Sequence, residues 1–336
     1  MPSPLRFFGN ASLRGTLPKE RNTGIAPHFL GNSPMPKERR FAVNRRLGRR
    51  IEPYIWLLPS IVLLAIFMVY PIIIVFKLSF SEISKSGVIG GFVGLQNYKD
   101  AVSLPAFGTV MKNTFWWVVA VVGISTLLGF IIALVLNEKF HGRKIARSII
   151  VFPWATSLVV QASVWNYIIK YEYGNLNNIL LNLGIIREAI NWRSSFQVEF
   201  IWEIWVGIFV TVPFVTFCVL SGLQSIDTTL YEAADIDGAS FWDKLFNITI
   251  PLVKPSLTVS TVLNIIYVFN SFPIVFTMTK GAPANNTDTL ITYLYMLNFY
   301  DRKKGPATAL SVIGFLILCV CAGIYMVTVM KKEENQ

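Results

Sequence analysis

Six stretches of this chain contain no Asp, Glu, Lys or Arg: 53–76, 113–137, 148–169, 204–226, 255–279 and 305–330. Each runs for at least 22 residues. A helix rises about 1.5 Å per residue and a bilayer's hydrocarbon core is about 30 Å thick, so about 20 residues cross it. Backbone groups in lipid must pair inside their own segment, which selects helices. Alternating strands of about ten residues, the mark of a membrane barrel, are not seen. The expected class is therefore an all-α polytopic membrane protein with six transmembrane helices. The charge content agrees: 15% of residues are charged, against about 25% in a soluble domain.

Lys and Arg orient the spans. Cytoplasmic segments carry the excess of positive charge. An N-in, C-in topology puts tail 1–52, loops 138–147 and 227–254, and tail 331–336 on one side. These hold 19 of the 30 Lys and Arg, with Arg39, Arg40, Arg45, Arg46, Arg49 and Arg50 crowded before the first span. Arg302, Lys303 and Lys304 fall on the opposite side and weaken the bias. The domains expected are a basic tail (1–50), a transmembrane domain (51–332) with a cytoplasmic loop (227–254), and a short C-terminal tail (333–336). The N-terminal tail, rich in Pro and Gly and poor in acids, reads as a disordered segment that touches anionic lipid. An organellar transit peptide is the alternative. The net charge of +11 is explained by these tails and loops, and nucleic acid is not expected as a partner. The three cysteines, Cys218, Cys319 and Cys321, sit in apolar runs without metal spacing. His28 and His141 are far apart, beside basic residues, and read as solvated surface.

Between the fourth and fifth stretches lies "YEAADIDGASFWDKLFNITIPLVKP" (231–255), acidic and glycine-punctuated. Its local chemistry predicts two short helices. Thr229 with Glu232 has the spacing of a capping box, and Ser240 with Asp243 repeats it. Gly238 permits a turn that a Cβ would hinder. Pro251 and Pro255 are expected to limit the second helix and lead into the fifth span. Ala233 and Ala234 allow another surface to come close. Phe241, Trp242, Leu245, Phe246 and Ile248 form an apolar stripe at helical spacing. On physical grounds alone the loop is either an amphipathic segment on the headgroups or a docking surface.

This stretch resembles the EAA loop of bacterial ABC importer permeases: Glu232-Ala233-Ala234, then Gly238, then Ile248-Thr249-Ile250-Pro251. "FPWATSLVVQASVWNYII", "LQSIDTTLYEAADIDGA" and "FTMTKGAPANNTDTL" are similar to segments of the maltose and glycerol-3-phosphate type of sugar permease. The likeness covers roughly residues 50 to 332. Asp227 stands where a Pro is frequent, and Ala282 replaces a Gly of the usual Gly-Gly-Pro. The resemblance implies a MetI-like permease fold in a bacterial cell membrane. It also implies that Glu232, Ala233, Ala234, Asp237, Gly238, Ile248 and Pro251 belong to a coupling element docked on a cytoplasmic ATPase. The partners so implied are a second, homologous permease subunit, two ATPase subunits and an extracytoplasmic solute-binding protein.

The chain itself has no G-x-x-x-x-G-K-[S/T] phosphate loop. It shows no catalytic constellation either. It is not expected to be an enzyme or to hold a cofactor; ATP and magnesium belong to the partner ATPase. Polar residues inside spans tend to face a cavity or another helix. Candidates for the substrate pathway are Gln161 and Trp165 in the third span, Thr211 and Phe214 in the fourth, and Asn264, Tyr267, Asn270 and Ser271 in the fifth. Asn and Gln both donate and accept toward sugar hydroxyls, and aromatic rings stack on sugar faces. The resemblance singles out Thr211, Phe214, Asn264 and Ser271 as matches to sugar contacts. Residues 264, 267 and 271 are expected on one helical face. The same residues also serve as helix-packing polar groups. Absence of charge deep in the spans favours a neutral substrate. Residues 174–190 are expected to form an outer amphipathic helix, and 289–300 either a short outer helix or an aromatic anchor.

The expected function is the membrane permease subunit of an ATP-driven importer for a neutral oligo- or disaccharide. An importer of another small solute (glycerol-3-phosphate, polyamine, phosphate) is the runner-up. A channel or proton-coupled secondary transporter is the reading from a different class, and it calls for ionisable residues in spans or an inverted repeat.

Overall fold

The structure, a computed structural model, describes residues 56–333. The basic tail 1–50 and most of the short C-terminal tail lie outside the described residues. The chain divides at Leu63/Leu64 into two units. Of the first, the described residues 56–63 are helical and exposed; the packing below concerns the second.

Five helices are long and apolar enough to cross a membrane: α1 (Trp56–Ser79), α3 (Phe107–Asn137), α7 (Phe196–Gln224), α9 (Phe241–Phe269) and α12 (Lys304–Ile324, continuing to Glu333). The sixth crossing is a bent pair, α4 (Arg143–Ala155) and α5 (Leu158–Ile168), whose axes differ by 97°. Shorter helices fill the connections: α2 (Gln96–Val102), α6 (Asn175–Asn182), α8 (Thr228–Ile236), α10 (Phe272–Met278) and α11 (Leu290–Phe299). A small antiparallel hairpin, β1 (Ser81–Ile83) with β2 (Ile89–Phe92), follows α1. That hairpin is an addition to the all-helical expectation.

Small residues set the helix crossings. A Cβ on Gly207 would lie 2.9 Å from Trp117, and one on Gly129 would lie 2.7 Å from Val215. Both glycines let α3 and α7 approach closely. Trp117 is 1% exposed and donates its indole N–H to the Val268 carbonyl of α9 at 2.9 Å. A second buried cluster (Ala133, Leu136, Val215, Val219, Leu223 and Val253) joins α3, α7 and the start of α9. A third joins α3, α11 and α12 through Val110, Leu290, Leu297 and Leu310. Burying an aliphatic side chain contributes about 1.5–3 kcal/mol relative to water, but lipid is as apolar as Leu. In a membrane the close fit and the buried polar bonds therefore carry helix association.

Several sequence expectations change here. The stretch 148–169 is not one straight helix: Thr156 and Ser157 are extended, and α5 starts afresh. Pro153 lies inside α4, and Gln161 donates back to the Pro153 carbonyl. The fourth helix starts at Phe196, eight residues before the uncharged run, because Ser195 caps the Val198 amide. It thereby carries Glu199 and Glu203 into the fold. The segment 174–190 is helical only over Asn175–Asn182. Segment 289–300 does form a helix, started by a Thr289–Thr292 capping box.

The fifth helix differs most. Pro251 and Pro255 do not limit a short helix. Phe241–Lys244 is the first turn of one continuous 29-residue helix. A π-turn at Leu245–Thr249 precedes Pro251, which sits in the first turn of the α-helical stretch beyond it. A π-turn shifts the hydrogen-bond ladder by one residue, and Pro lacks the amide proton that an unbroken ladder would need.

Candidate functional site

The hairpin between α7 and α9 is built from its caps upward. Asp227, not Thr229, starts α8: its carboxylate accepts from the Thr229 amide at 2.9 Å. That bond holds the Asp227 carboxyl below its ordinary range. The end of α8 is a Schellman motif. The Ala239 amide donates to the Ala234 carbonyl at 2.9 Å and the Gly238 amide to the Asp235 carbonyl at 3.2 Å. Gly238 supplies the left-handed conformation this needs, with φ +74°. Ser240 then opens α9 with the expected capping box through Asp243.

Two side-chain bonds lock the two arms. Lys244 reaches Asp235 at 2.7 Å, and the Tyr231 hydroxyl meets the Thr249 hydroxyl at 3.0 Å. The ion pair is largely exposed on its Asp side, so its contribution is small, about 0–1 kcal/mol. The hairpin still acts as one body, because its second arm is the first turn of a membrane helix. Glu232, Ala233, Asp237 and Gly238 are exposed, Ala234 and Ile248 half-buried, and Pro251 exposed. Ile236 at the tip is 87% exposed, and Phe241, Trp242 and Phe246 remain uncovered. Trp242 stacks on Phe246 at 6.1 Å. A cavity of about 330 Å³ opens at the hairpin's root, lined by Leu134, Glu138, Leu223, Tyr231, Phe241 and Lys244.

The span residues named from the sequence do not form one face. Thr211 is buried and spends its hydroxyl on the Gly207 carbonyl, 2.8 Å away in its own helix. Phe214 lines an open cavity of about 630 Å³ with Trp154, Phe217, Ser221, Pro255 and Ser256. Trp165 is half-buried in an aromatic nest with Trp202, Trp205 and Phe209. Gln161 is buried on the Pro153 carbonyl. Asn264 is fully buried and donates to Ser125 of α3 at 2.9 Å, its carbonyl oxygen unpartnered. Tyr267, three residues on, is 42% exposed. The helix ends at Phe269, so Asn270 and Ser271 lie in a break before α10. Asn270 is exposed, and Ser271 is 6% exposed with an unpartnered hydroxyl. Asn264 and Tyr267 lie in the same unbroken helix, and only Ser271 leaves the expected common face, because the break resets the helical phase.

Sequence reading missed a buried polar knot. Glu203 is completely buried in α7 and accepts from the Thr279 hydroxyl at 2.6 Å. Thr279 also meets Thr287 at 2.7 Å. Asp288 is buried in the same loop. Burial pushes its carboxyl up, and hydrogen bonds from Asn285 and Thr292 oppose that. Arg193 pairs with Glu199 at 2.8 Å, donates to Asn166 at 2.8 Å and reaches the Met278 carbonyl at 3.3 Å. Glu203 lies one residue ahead of the uncharged run 204–226, so the run itself stays free of ionisable carboxyls and bases while the longer helix that carries it buries one. A polar group in this position is held by hydroxyls from a loop 76 residues away in sequence, which no local pattern announces.

Residues 125–332 match the family model described as binding-protein-dependent transport system inner membrane component. The trehalose/maltose transport system permease protein MalF of Thermococcus litoralis is 32% identical over 81% of this chain and 92% of its own. The sulfoquinovosyl glycerol transport system permease protein SmoG of Agrobacterium fabrum is 33% identical over 85% of this chain and 93% of its own. Among solved structures, a chain of a bacterial alginate ABC transporter, in complex with an alginate pentasaccharide-bound periplasmic protein, superposes with a TM-score of 0.72. That match has 23% identity and covers 83% of this chain and 96% of the other; it shows the fold. With membrane-length helices, an exposed hairpin continuous with one of them and a family match across most of both, this chain belongs to the inner membrane components of binding-protein-dependent transport systems, as a permease subunit of an ABC transporter.

Proposed function

We propose that this subunit moves a neutral sugar through the membrane, driven by ATP hydrolysis in separate cytoplasmic subunits that grip the 227–254 hairpin. The observation that carries the reading is the continuity of that hairpin with α9. An exposed, doubly pinned bend runs without a flexible joint into a 29-residue helix. Movement of a docked partner is then transmitted as rigid-body motion of a span. Glu232, Ala233, Ala234, Asp237 and Gly238 form the gripped arm, with Ile248 and Pro251 where the bend joins the span. The hairpin faces the cytoplasm in an N-in, C-in topology, which the Lys and Arg distribution supports.

The sugar assignment is supported by the carbohydrate-derived solutes named for both relatives. It is also supported by the aromatic and neutral-polar lining of the cavity at Phe214 and Trp154. On this reading Phe214, Tyr267, Asn270 and Ser271 face the pathway. Gln161, Thr211 and Asn264 shape it from behind, being both buried and donating within the chain, and Trp165 does so from its nest of three aromatic rings. The complex contains a second, homologous permease, two ATPase subunits that bind ATP and magnesium, and a solute-binding protein outside.

The test is uptake by the assembled importer in proteoliposomes. Radiolabelled trehalose, maltose, glycerol-3-phosphate, a polyamine and phosphate are offered, each with the loaded binding protein. ATP-dependent uptake of a neutral sugar alone is expected. Uptake of only a charged solute overturns the sugar assignment, and uptake without the ATPase subunits overturns the importer.

A further inference from the structure

The connection from α3 into α4 carries Lys139, His141, Arg143, Lys144 and Arg147. It lies between two uncharged runs of membrane length, so it sits at a membrane surface whichever way the chain is oriented. Arg147 is committed to the fold and donates to the Leu136 carbonyl at the end of α3, at 3.2 Å. The other cations are uncommitted: the ion pairs among the described residues are Arg193–Glu199 and Lys244–Asp235. The buried Nε of Arg143 has no hydrogen-bond partner. Lys139, Phe140, His141, Arg143 and Lys144 line an open cavity of about 710 Å³. Glu138, the nearest acid in the sequence, lines the cavity at the hairpin's root instead.

This basic cavity runs into an apolar one, and Lys144 and Ile145 belong to both. The second, about 620 Å³, continues along α4 past Ser148, Ile149 and Phe152 to Phe209 of α7. Ile145, Ile149 and Phe152 have the i, i+4, i+7 spacing of one helical face and are 67%, 66% and 69% exposed. Ala146 and Ile150 of the same helix pack against the cluster that joins α3 and α7, which keeps the stripe turned outward. The stripe rises about 10 Å along the helix, against about 15 Å of hydrocarbon per leaflet.

We propose that the α3–α4 connection and the exposed face of α4 bind one anionic phospholipid, its phosphate at Lys139, Arg143 and Lys144 and an acyl chain along Ile145, Ile149 and Phe152. Guanidinium and ammonium groups give charge-assisted hydrogen bonds to phosphate oxygens. Helix α4 starts at Gly142 with no capping side chain, so its first-turn amides are open to an anion. No acid lines this cavity. Basic pockets of this kind at a membrane surface take anionic headgroups. A soluble anion would leave the apolar stripe uncovered, and a zwitterionic lipid would bring its own cation against Lys139 and Lys144. The site lies on the side of α4 away from Val151 and Trp154, which line the cavity at Phe214. It is therefore no part of the solute pathway and does not depend on which solute is carried.

The experiment uses the assembled importer in phosphatidylcholine nanodiscs with a trace of lipid carrying a photoreactive acyl chain, either phosphatidylglycerol or phosphatidylcholine. Crosslinked peptides are mapped by mass spectrometry, and co-purification of the other subunits is checked for each variant. Crosslinks to 145–152 and Phe209 are expected from the phosphatidylglycerol probe in large excess over the other. A basic residue at an anionic surface is worth about fivefold in affinity. Lys139→Gln with Lys144→Gln should therefore weaken that preference by about 25-fold. Lys139→Arg with Lys144→Arg should keep it, as should Arg302→Gln with Lys303→Gln at another surface. Ile149→Trp, which fills the groove and leaves the charges, should remove the crosslinks. Equal labelling by the two probes overturns the site, since it marks ordinary bilayer contact. So does an equal loss in the Arg302 and Lys303 control. Displacement by soluble glycerol phosphate at the probe's concentration also overturns it, leaving an anion site alone. An α4 without crosslinks in the assembled complex puts the second permease in the groove and overturns it as well.

Discussion

Gly238→Ala is the sharpest probe of the coupling hairpin. Gly238 has φ +74°, and a Cβ built on it meets nothing within 4 Å. The substitution therefore adds no clash and removes no contact. What remains is the cost of holding an L-residue in the left-handed region, about 1–2 kcal/mol. At about 1.4 kcal/mol per factor of ten, the population with the native bend falls about 5- to 30-fold relative to competing bends. Asn bears this conformation far better than Ala, because its short polar side chain bonds locally. Gly238→Asn is thus expected to behave nearly as wild type, although it is the larger residue. The assay is the ratio of sugar taken up to ATP hydrolysed by the assembled importer in proteoliposomes, with loaded binding protein. Gly238→Ala should lower uptake, whereas basal insertion of the chain in the membrane stays unchanged. Equal impairment in Ala and Asn would show that side-chain bulk, not backbone conformation, governs the tip. Wild-type uptake in the Ala variant would show that the bend carries no force.

Three further outcomes follow from the geometry. Asp227 caps α8, and its carboxyl is held below its ordinary range. A depressed folded value means the cap's contribution is complete above the unfolded value, about 3.9, and is lost as pH falls through the folded value. Protection of the Thr229 amide, measured relative to its pH-dependent intrinsic exchange rate, should therefore hold at neutral pH and fall only in acid, and Asp227→Asn should remove that dependence. Gly129→Ala places a methyl 2.7 Å from Val215 and 3.1 Å from the Thr216 backbone nitrogen. Overpacking of this kind costs about 1–3 kcal/mol, so the purified complex should unfold at lower temperature, and an unchanged Tm would mean α3 and α7 can separate freely. Asn264→Ala removes the bond to Ser125 and should lower thermal stability and uptake together, by about 0.6 kcal/mol for the bond itself. Ser271→Ala removes no protein hydrogen bond and should lower uptake alone, and a stability loss in Ser271→Ala of equal size would place both residues in packing.

The sequence by itself determined the class, the approximate helices and the hairpin. Transfer into lipid adds up residue by residue, so uncharged runs near 22 residues announce themselves without knowledge of neighbours. Caps and turns are equally local. The Ser240–Asp243 box and the left-handed need at Gly238 follow from residues within a few positions. Even there a near competitor won: Asp227 caps the helix ahead of Thr229, because a carboxylate two residues before the amide takes the bond first.

Only the tertiary structure decided which polar groups are engaged and where helices break or continue. Asn264 and Ser125 are 139 residues apart in sequence, and Glu203 and Thr279 are 76 apart. One apolar run breaks by 97° at Thr156 and Ser157, with Gln161 bonded back across the break to the Pro153 carbonyl. Pro251 and Pro255 leave another continuous. Pro153, Pro251 and Pro255 all lie inside helices, so proline alone does not place the break; that depends on what satisfies the freed backbone groups, and the partner comes from the surrounding fold. Aromatic residues behave likewise: their number is read from the chain, but the contacts of Tyr295 with Phe272 and Phe276 exist only because α10 and α11 fold against each other.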